Sequence, residues 1–200
     1  MPLIEFGTSG APMQGEERSG DVHLIQTFSG GVLVGVIDAL GHGPEAANAA
    51  ATAVEALRKR AAQPLLYLLQ SGTEALRWSR RVVLSLASFN LAERCMTWVG
   101  IGNVAGILIR ARAPEERKQE TLITRSGVLG DQLPSLLAAR LPIGSGDTLI
   151  FATDGVDPSF AQDVSLRGEP QKLSDRILAR YRKPDDDALV LVARYVEDSR

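Results

Sequence analysis

The sequence contains almost no cysteine: Cys95 is the single one among 200 residues, and there are two histidines. One cysteine cannot form a disulfide within the chain, which excludes a disulfide framework. Chains without disulfides are typical of reducing compartments, so we expect a cytoplasmic protein.

The sequence also lacks an excess of positive charge and long apolar segments. Its net charge of −2 argues against non-specific binding to nucleic acid. It has no basic and apolar leader and no run of about 20 apolar residues, which argues against a membrane segment. What it does contain is 44% hydrophobic residues, enough for the core of one domain that spans residues 1–200.

The segment 30–43, GGVLVGVIDALGHG, is the one around which the rest of the chain is organised. Its alternating residues are apolar on both sides, which predicts a strand covered on both faces. The strand leads to Asp38, a charge that is costly to bury without a partner such as a cation. A loop between two glycines follows, and Pro44 begins a pattern typical of a helix. We therefore predict a functional site after this strand.

A short hairpin turn relates this strand to the preceding one. A two-residue loop at 29–30 places Asp21 directly opposite Asp38. A two-residue loop at 30–31 places Asp21 opposite Leu40, which lies on the same face of the sheet as Asp38. A three-residue loop would put the two acids on opposite faces. We expect the two carboxylates to share one edge of a sheet.

The remaining pattern predicts helices that cover antiparallel strands. From Val82 onward, strands follow one another largely without helices between them, which indicates antiparallel pairing and an α+β fold class. The predicted helices are 44–60, 65–80 and 173–181, and the other predicted strands are 3–6, 21–28, 82–90, 95–99, 104–110, 119–125, 136–141, 147–153 and 188–195.

Acidic residues occur where four of these strands end or begin. Asp38 and Asp154 follow apolar strands, whereas Asp21 and the run 185–187 precede strands. In antiparallel sheets the end of one strand lies beside the start of its neighbour, so these acids can collect at one edge. Clustered carboxylates suit Mg²⁺ or Mn²⁺ better than zinc, and two such ions can activate a water and hold a phosphoryl group.

Five segments, in chain order, resemble the SpoIIE branch of the metal-dependent (PPM, type 2C) serine/threonine protein phosphatases: GDVHLI, VIDALGHG, MTWVGIGNVAGIL, GDTLIFATDGV and DDDALVLVAR. The resemblance runs from residue 16 to residue 195. It implies a four-layer αββα sandwich of two antiparallel β-sheets flanked by helices, and a phosphatase that uses two Mn²⁺ or Mg²⁺ ions. Because no sensor or membrane region accompanies it, the chain looks most like the stressosome phosphatases of this branch, which act on phosphorylated STAS-domain proteins.

The resemblance also implies metal ligands. Asp38 matches the acid that bridges the two metal ions, and Asp21 and Asp154 match further acidic ligands. Ala39 stands where the family usually has glycine and would offer its main-chain carbonyl to a metal. The last ligand is either Asp185 or Asp186, since the alignment can slide by one residue.

His42 belongs to the GHG signature of the branch. The resemblance gives it two roles: it would donate a proton to the leaving serine or threonine oxygen, or hydrogen-bond to a metal-bound water. The structural alternative is that it fixes the loop.

Two other functions remain open at this point. The substrate could be a phosphorylated anti-anti-sigma factor, or the domain could bind phosphorylated partners without catalysis. A GxGxxA pattern at residues 100–105 precedes a predicted strand rather than a helix, which argues against a dinucleotide site.

Overall fold

The computed structural model describes residues 4–114, 118–162 and 166–196. Ten strands in these ranges form two antiparallel sheets. The helices are α1 (Gly43–Arg58), α2 (Leu65–Ala75) and α3 (Pro170–Tyr181), with a 3₁₀ helix at Pro158–Gln162. The strands are β1 (Ile4–Ala11), β2 (Asp21–Phe28), β3 (Gly31–Ala39), β4 (Val82–Asn90), β5 (Cys95–Ile101), β6 (Ala105–Ile109), β7 (Gln119–Leu122), β8 (Ala139–Pro142), β9 (Thr148–Ala152) and β10 (Ala188–Tyr195).

The two sheets pack face to face between layers of helix. The front sheet has the strand order β2-β3-β4-β5-β8, and the back sheet has the order β1-β10-β9-β6-β7. Helices α1 and α2 cover the outer face of the front sheet, and α3 covers the outer face of the back sheet. This arrangement confirms the predicted αββα sandwich. Within the described ranges, no helix is long and apolar enough to cross a membrane.

Strand β3 is buried on both faces, as its sequence predicted. Its valines, at positions 32, 34 and 36, lie in the core between the sheets. Leu33 and Ile37 lie in the core between the front sheet and its helices. Asp38 has the same parity as the valines, so the strand directs it to the layer between the sheets.

The β2–β3 hairpin has the register that a two-residue loop predicts. Asp21 lies directly opposite Asp38 in the ladder, and the loop consists of Ser29 and Gly30. Gly30 has a φ of 85°, the left-handed conformation that two-residue hairpin loops require. The front sheet therefore places two carboxylates side by side at one edge.

Strand β1 is longer than its sequence suggested. It continues to Ala11, although the expected strand ended at Phe6 and its first residue, Leu3, lies outside the described ranges. Gly7 lies within the strand at the point where α3 crosses it closely: a Cβ there would lie 2.2 Å from the Gln171 amide nitrogen. This glycine permits close packing and is not part of a loop.

Other predicted bounds shift by a few residues. Helix α2 ends at Ala75 instead of Arg80, and a turn closed by the Ser79 amide on the Leu76 carbonyl leads into β4. Strand β7 ends at Leu122 rather than at residue 125, and β8 is 139–142 rather than 136–141.

Candidate functional site

The acidic residues of both sheets meet at one end of the sandwich. In the front sheet β2 begins and β3 ends there, and in the back sheet β9 ends and β10 begins there. Contacts of β10 with β2 and β3, and of β9 with β3, join these strand ends. We call this region the acidic end; its members are Asp21, Asp38, Asp154 and Asp186.

Asp21 connects the two sheets. Its carboxylate accepts a hydrogen bond of 2.7 Å from the hydroxyl of Thr153, which follows β9. Burial raises the pKa of Asp21 to about 8, and the charges of Asp38 and, next, Asp187 and Asp154 add to the effect, while the Thr153 bond opposes it. Burial and neighbouring charges therefore disfavour the ionised form of this carboxyl, and a bound cation would favour it.

The charged form of Asp38 is disfavoured in the same way as that of Asp21. Burial raises its pKa to about 7, with further contributions from the charges of Asp154 and Asp186. A hydrogen bond with Asp21 partly offsets them. Of the ion pairs formed by the described residues, none includes a member of the acidic end. The mutual repulsion of these carboxylates is therefore not relieved by a protein cation.

Asp154 is held from both its side chain and its main chain. The Asn103 amide donates a hydrogen bond of 2.5 Å to its carboxylate, and the Lys183 ammonium donates one of 2.7 Å to its main-chain carbonyl. The next residue, Gly155, allows the segment after β9 to touch the segment before β10. A Cβ at Gly155 would lie 1.9 Å from the carbonyl oxygen of Asp187.

The three consecutive aspartates occupy three different environments. Asp185 is exposed, Asp186 is half-buried and Asp187 is buried. Burial raises the pKa of Asp186, with the charge of Asp154 as the next cause. Asp186, and not Asp185, is among the charges that act on Asp38. The structure thus brings Asp186 to the acidic end and leaves Asp185 at the surface.

The loop after β3 is shaped by glycines and by a distant arginine. Gly41 and Gly43 have φ values of 87° and 77°, which side-chain-bearing residues rarely adopt. Arg80 donates a hydrogen bond of 3.2 Å to the Leu40 carbonyl and forms an ion pair with Glu45 in the first turn of α1. Ala39, at the start of this loop, is buried.

His42 lies at the N-terminal end of α1 and is half-exposed. Its Nδ1 atom is 2.7 Å from Oε1 of Glu16, a residue in the connection between β1 and β2. The tautomer with a proton on Nδ1 satisfies this contact and orients Nε2 away from Glu16. The structure therefore shows His42 held by a carboxylate that is distant in sequence.

Several residues that support the site were missed in the sequence. Asp187 shares the parity of Leu189 and Leu191, which lie between the sheets, so its burial could have been anticipated from β10. No local signal pointed to the others, because loop geometry brings them to the site. The missed residues are Glu16, Arg80, Asn103 and Thr153; Asp187 was predicted as part of the acidic run 185–187, but its burial was not.

The donor set fits a hard divalent cation in its chemistry. All its side-chain donors are carboxylates, the ligands that Mg²⁺ and Mn²⁺ prefer, and cation binding would relieve the repulsion that raises their pKa values. Within the described ranges, no three His, Cys, Asp or Glu side chains form a group that could hold a metal ion as they stand.

Comparison with known sequences identifies the family. Residues 29–196 match the family model described as Stage II sporulation protein E (SpoIIE). The chain belongs to the SpoIIE family. No curated protein sequence matches this SpoIIE-family chain.

Solved structures share its fold over nearly the whole length. A chain from a study of the bacterial stressosome is 27% identical, with a TM-score of 0.86, and the match covers 96% of this chain and 100% of that one. RsbX in complex with magnesium is 19% identical, with a TM-score of 0.83, covering 96% and 95%. The serine/threonine phosphatase PstP/Ppp of Mycobacterium tuberculosis is 13% identical, with a TM-score of 0.77, covering 98% and 100%. This SpoIIE-family chain therefore has the fold of the PPM-type serine/threonine phosphatases.

Proposed function

We propose that the chain is a metal-dependent phosphoserine/phosphothreonine protein phosphatase. The observation that carries the proposal is the acidic end, where carboxylates from four separate segments meet at one edge and take part in none of the ion pairs of the described residues. Membership of the SpoIIE family and the PPM-type fold support the same function.

In this proposal the acidic end holds two Mg²⁺ or Mn²⁺ ions. Asp38 would be the ligand shared by both ions, Asp21 and Asp154 would be further ligands, and the main-chain carbonyl of Ala39 would contribute as well. Asp186 is preferred to Asp185 as the last ligand because its charge acts on Asp38 and because Asp185 is exposed. When bound, the ions supply a water activated for attack on phosphorus.

His42 acts on the leaving group in the same proposal. Glu16 accepts the Nδ1 proton of the ring, and the imidazolium form then gives its Nε2 proton to the departing serine or threonine oxygen. Arg80 and the two glycines of the loop keep this imidazole beside the acidic end.

The proposed substrate is a phosphorylated STAS-domain protein of a stressosome, met in the cytoplasm. The 27% identity to a chain from a study of the bacterial stressosome and the likeness to RsbX support this choice. The four carboxylates are each half-buried, so a phosphorylated side chain on a protein surface can reach them.

The test offers three substrates with Mn²⁺ and compares initial rates of phosphate release. They are a phosphorylated STAS-domain stressosome protein, a phosphorylated anti-anti-sigma factor and p-nitrophenyl phosphate. We expect the first to react fastest and EDTA to stop all three reactions. Faster release from the anti-anti-sigma factor would overturn the substrate assignment. Binding of a phosphoprotein with no release from any substrate would instead identify a catalytically silent domain.

A further inference from the structure

Asp187 is engaged entirely by backbone amides of another segment. It is 4% exposed. One carboxylate oxygen accepts a hydrogen bond of 2.7 Å from the Met13 amide, and the other accepts one of 2.7 Å from the Gly20 amide. A buried carboxylate that accepts two amide hydrogen bonds is a strong local anchor.

The anchored segment, residues 12–20, runs between β1 and β2 past the acidic end. Two more hydrogen bonds attach it to the chain just before β10. The Arg182 guanidinium donates a hydrogen bond of 2.6 Å to the Pro12 carbonyl, and the Gln14 amide donates one of 3.1 Å to the Pro184 carbonyl. Asp187 is the side chain that holds both ends of the segment. We call residues 12–20 the clasp.

The clasp touches two functional groups of the proposed site. Its last residue, Gly20, precedes Asp21, and the Gly20 carbonyl accepts a hydrogen bond of 3.2 Å from the Ala39 amide. Its middle carries Glu16, which binds His42. The position of the clasp therefore sets both the Asp21 carboxylate and the His42 imidazole.

We propose that Asp187 is a positioning residue that organises the metal site by holding the amides of Met13 and Gly20. Its importance for turnover rests on the proposed function, but its effect on Asp21 concerns metal binding alone. Gly20 packs closely against α1, since a Cβ there would lie 2.9 Å from that of Ala46. Because the Asp187 carboxylate accepts the Met13 and Gly20 amides, we expect its displacement to displace the clasp.

Two variants separate position from charge. Asp187→Asn removes the charge and turns one acceptor into a donor that faces an amide. Asp187→Glu keeps the charge but moves the carboxylate by one methylene. If Asp187 acts by charge alone, only the first variant weakens metal binding; if it acts by position, both do.

The experiment measures Mn²⁺ binding to the full chain by titration calorimetry. We expect both variants to bind Mn²⁺ about tenfold more weakly than the wild type or worse, as is usual when a group that orients a metal ligand is lost. The matched control is Asp147→Asn: Asp147 is 6% exposed and accepts hydrogen bonds from the Ala111 and Gly144 amides. It lies at the start of β9, the opposite end of that strand, so Mn²⁺ affinity should not change. Wild-type affinity in Asp187→Glu would overturn the proposal.

Amide hydrogen exchange provides a second measurement that does not depend on the variants folding. In the metal-free wild type we expect the Met13 and Gly20 amides to be protected, although both lie outside regular strands. Rapid exchange of both would overturn the proposal. A wild type that binds Mn²⁺ but releases no phosphate would overturn the proposed function and leave the role of Asp187 standing.

Discussion

The two ends of the sandwich differ in whether their carboxylates are paired with a cationic side chain. At the start of β9, Asp147 is paired with Arg110 at 3.0 Å and also accepts hydrogen bonds from the Ala111 and Gly144 amides. Arg110 in turn binds Glu120 and the Pro142 carbonyl. At the acidic end, none of the ion pairs of the described residues includes the four carboxylates.

The difference distinguishes a carboxylate that stabilises the fold from carboxylates that suit a functional site. Asp147, a buried carboxylate that holds the fold, is paired with a fixed cation, because an unpaired charge there would be destabilising. Carboxylates that repel one another and have raised pKa values reduce stability, and such groups cluster at functional sites. The comparison therefore points to the acidic end as the place for an exchangeable cation.

Removing a proposed metal ligand should have the largest effect. We expect Asp38→Asn and Asp154→Asn each to lower Mn²⁺-dependent phosphate release by about 10³-fold. The metal-free melting temperature should stay the same or rise, because one source of repulsion is lost. Phosphatase assays and thermal unfolding in EDTA measure the two effects. Wild-type turnover in Asp154→Asn would show that the acidic end is not the active site.

The pair Asp186→Asn and Asp185→Asn sharpens the assignment within the acidic end. We expect about a 100-fold loss of activity for the first and less than about a twofold change for the second, since only Asp186 acts on Asp38. Phosphate release by both variants at saturating Mn²⁺ decides between them. The reverse order would return the ligand role to Asp185.

The opposite end should respond in stability rather than in activity. Asp147→Asn leaves the Arg110 charge without one of its partners, and we expect a loss of about 3 kcal/mol in the free energy of unfolding. Urea unfolding measures it, and activity at a temperature where the variant is folded should be unchanged. A variant as stable as the wild type would show that the two ends do not differ as described.

The smallest expected effect is a pH dependence of metal-free stability. The folded-state pKa values of Asp21 and Asp38, about 8 and about 7, lie above the ordinary value of 3.8. At pH values between the ordinary and the raised pKa, the native state therefore binds more protons than the unfolded state. Stability should therefore fall as pH rises from 5 to 8 in EDTA. Burial lowers the pKa of His23, which acts in the opposite direction.

Melting temperatures at pH 5 and pH 8 test this trend, and the His23→Gln background removes the opposing histidine. Saturating Mn²⁺ should reverse the trend, because metal binding requires the deprotonated carboxylates. A metal-free melting temperature that is equal or higher at pH 8 in this background would contradict the raised pKa values of Asp21 and Asp38.

The local features of the site could be predicted from the sequence, because strand alternation and a two-residue hairpin fix neighbours that are close along the chain. That is how the pairing of Asp21 with Asp38 was anticipated. The choice between Asp185 and Asp186 could not be made, since it depends on how the segment before β10 meets Gly155. Glu16 could likewise not be predicted as a partner of His42, because only the folded path of the clasp brings the two residues together.

The pairing of β1 with β10 has a consequence for how the chain acquires its function. Two hairpins of the front sheet, β2–β3 and β4–β5, join strands that are near neighbours in sequence, and such local contacts favour fast folding. The back sheet cannot close until β10 emerges, because β10 lies between β1 and β9. On the ribosome, the front sheet can therefore form while the acidic end is still incomplete. Under the proposed function, we therefore expect metal affinity and phosphatase activity only once the last strand is in place, and none in a chain truncated before it.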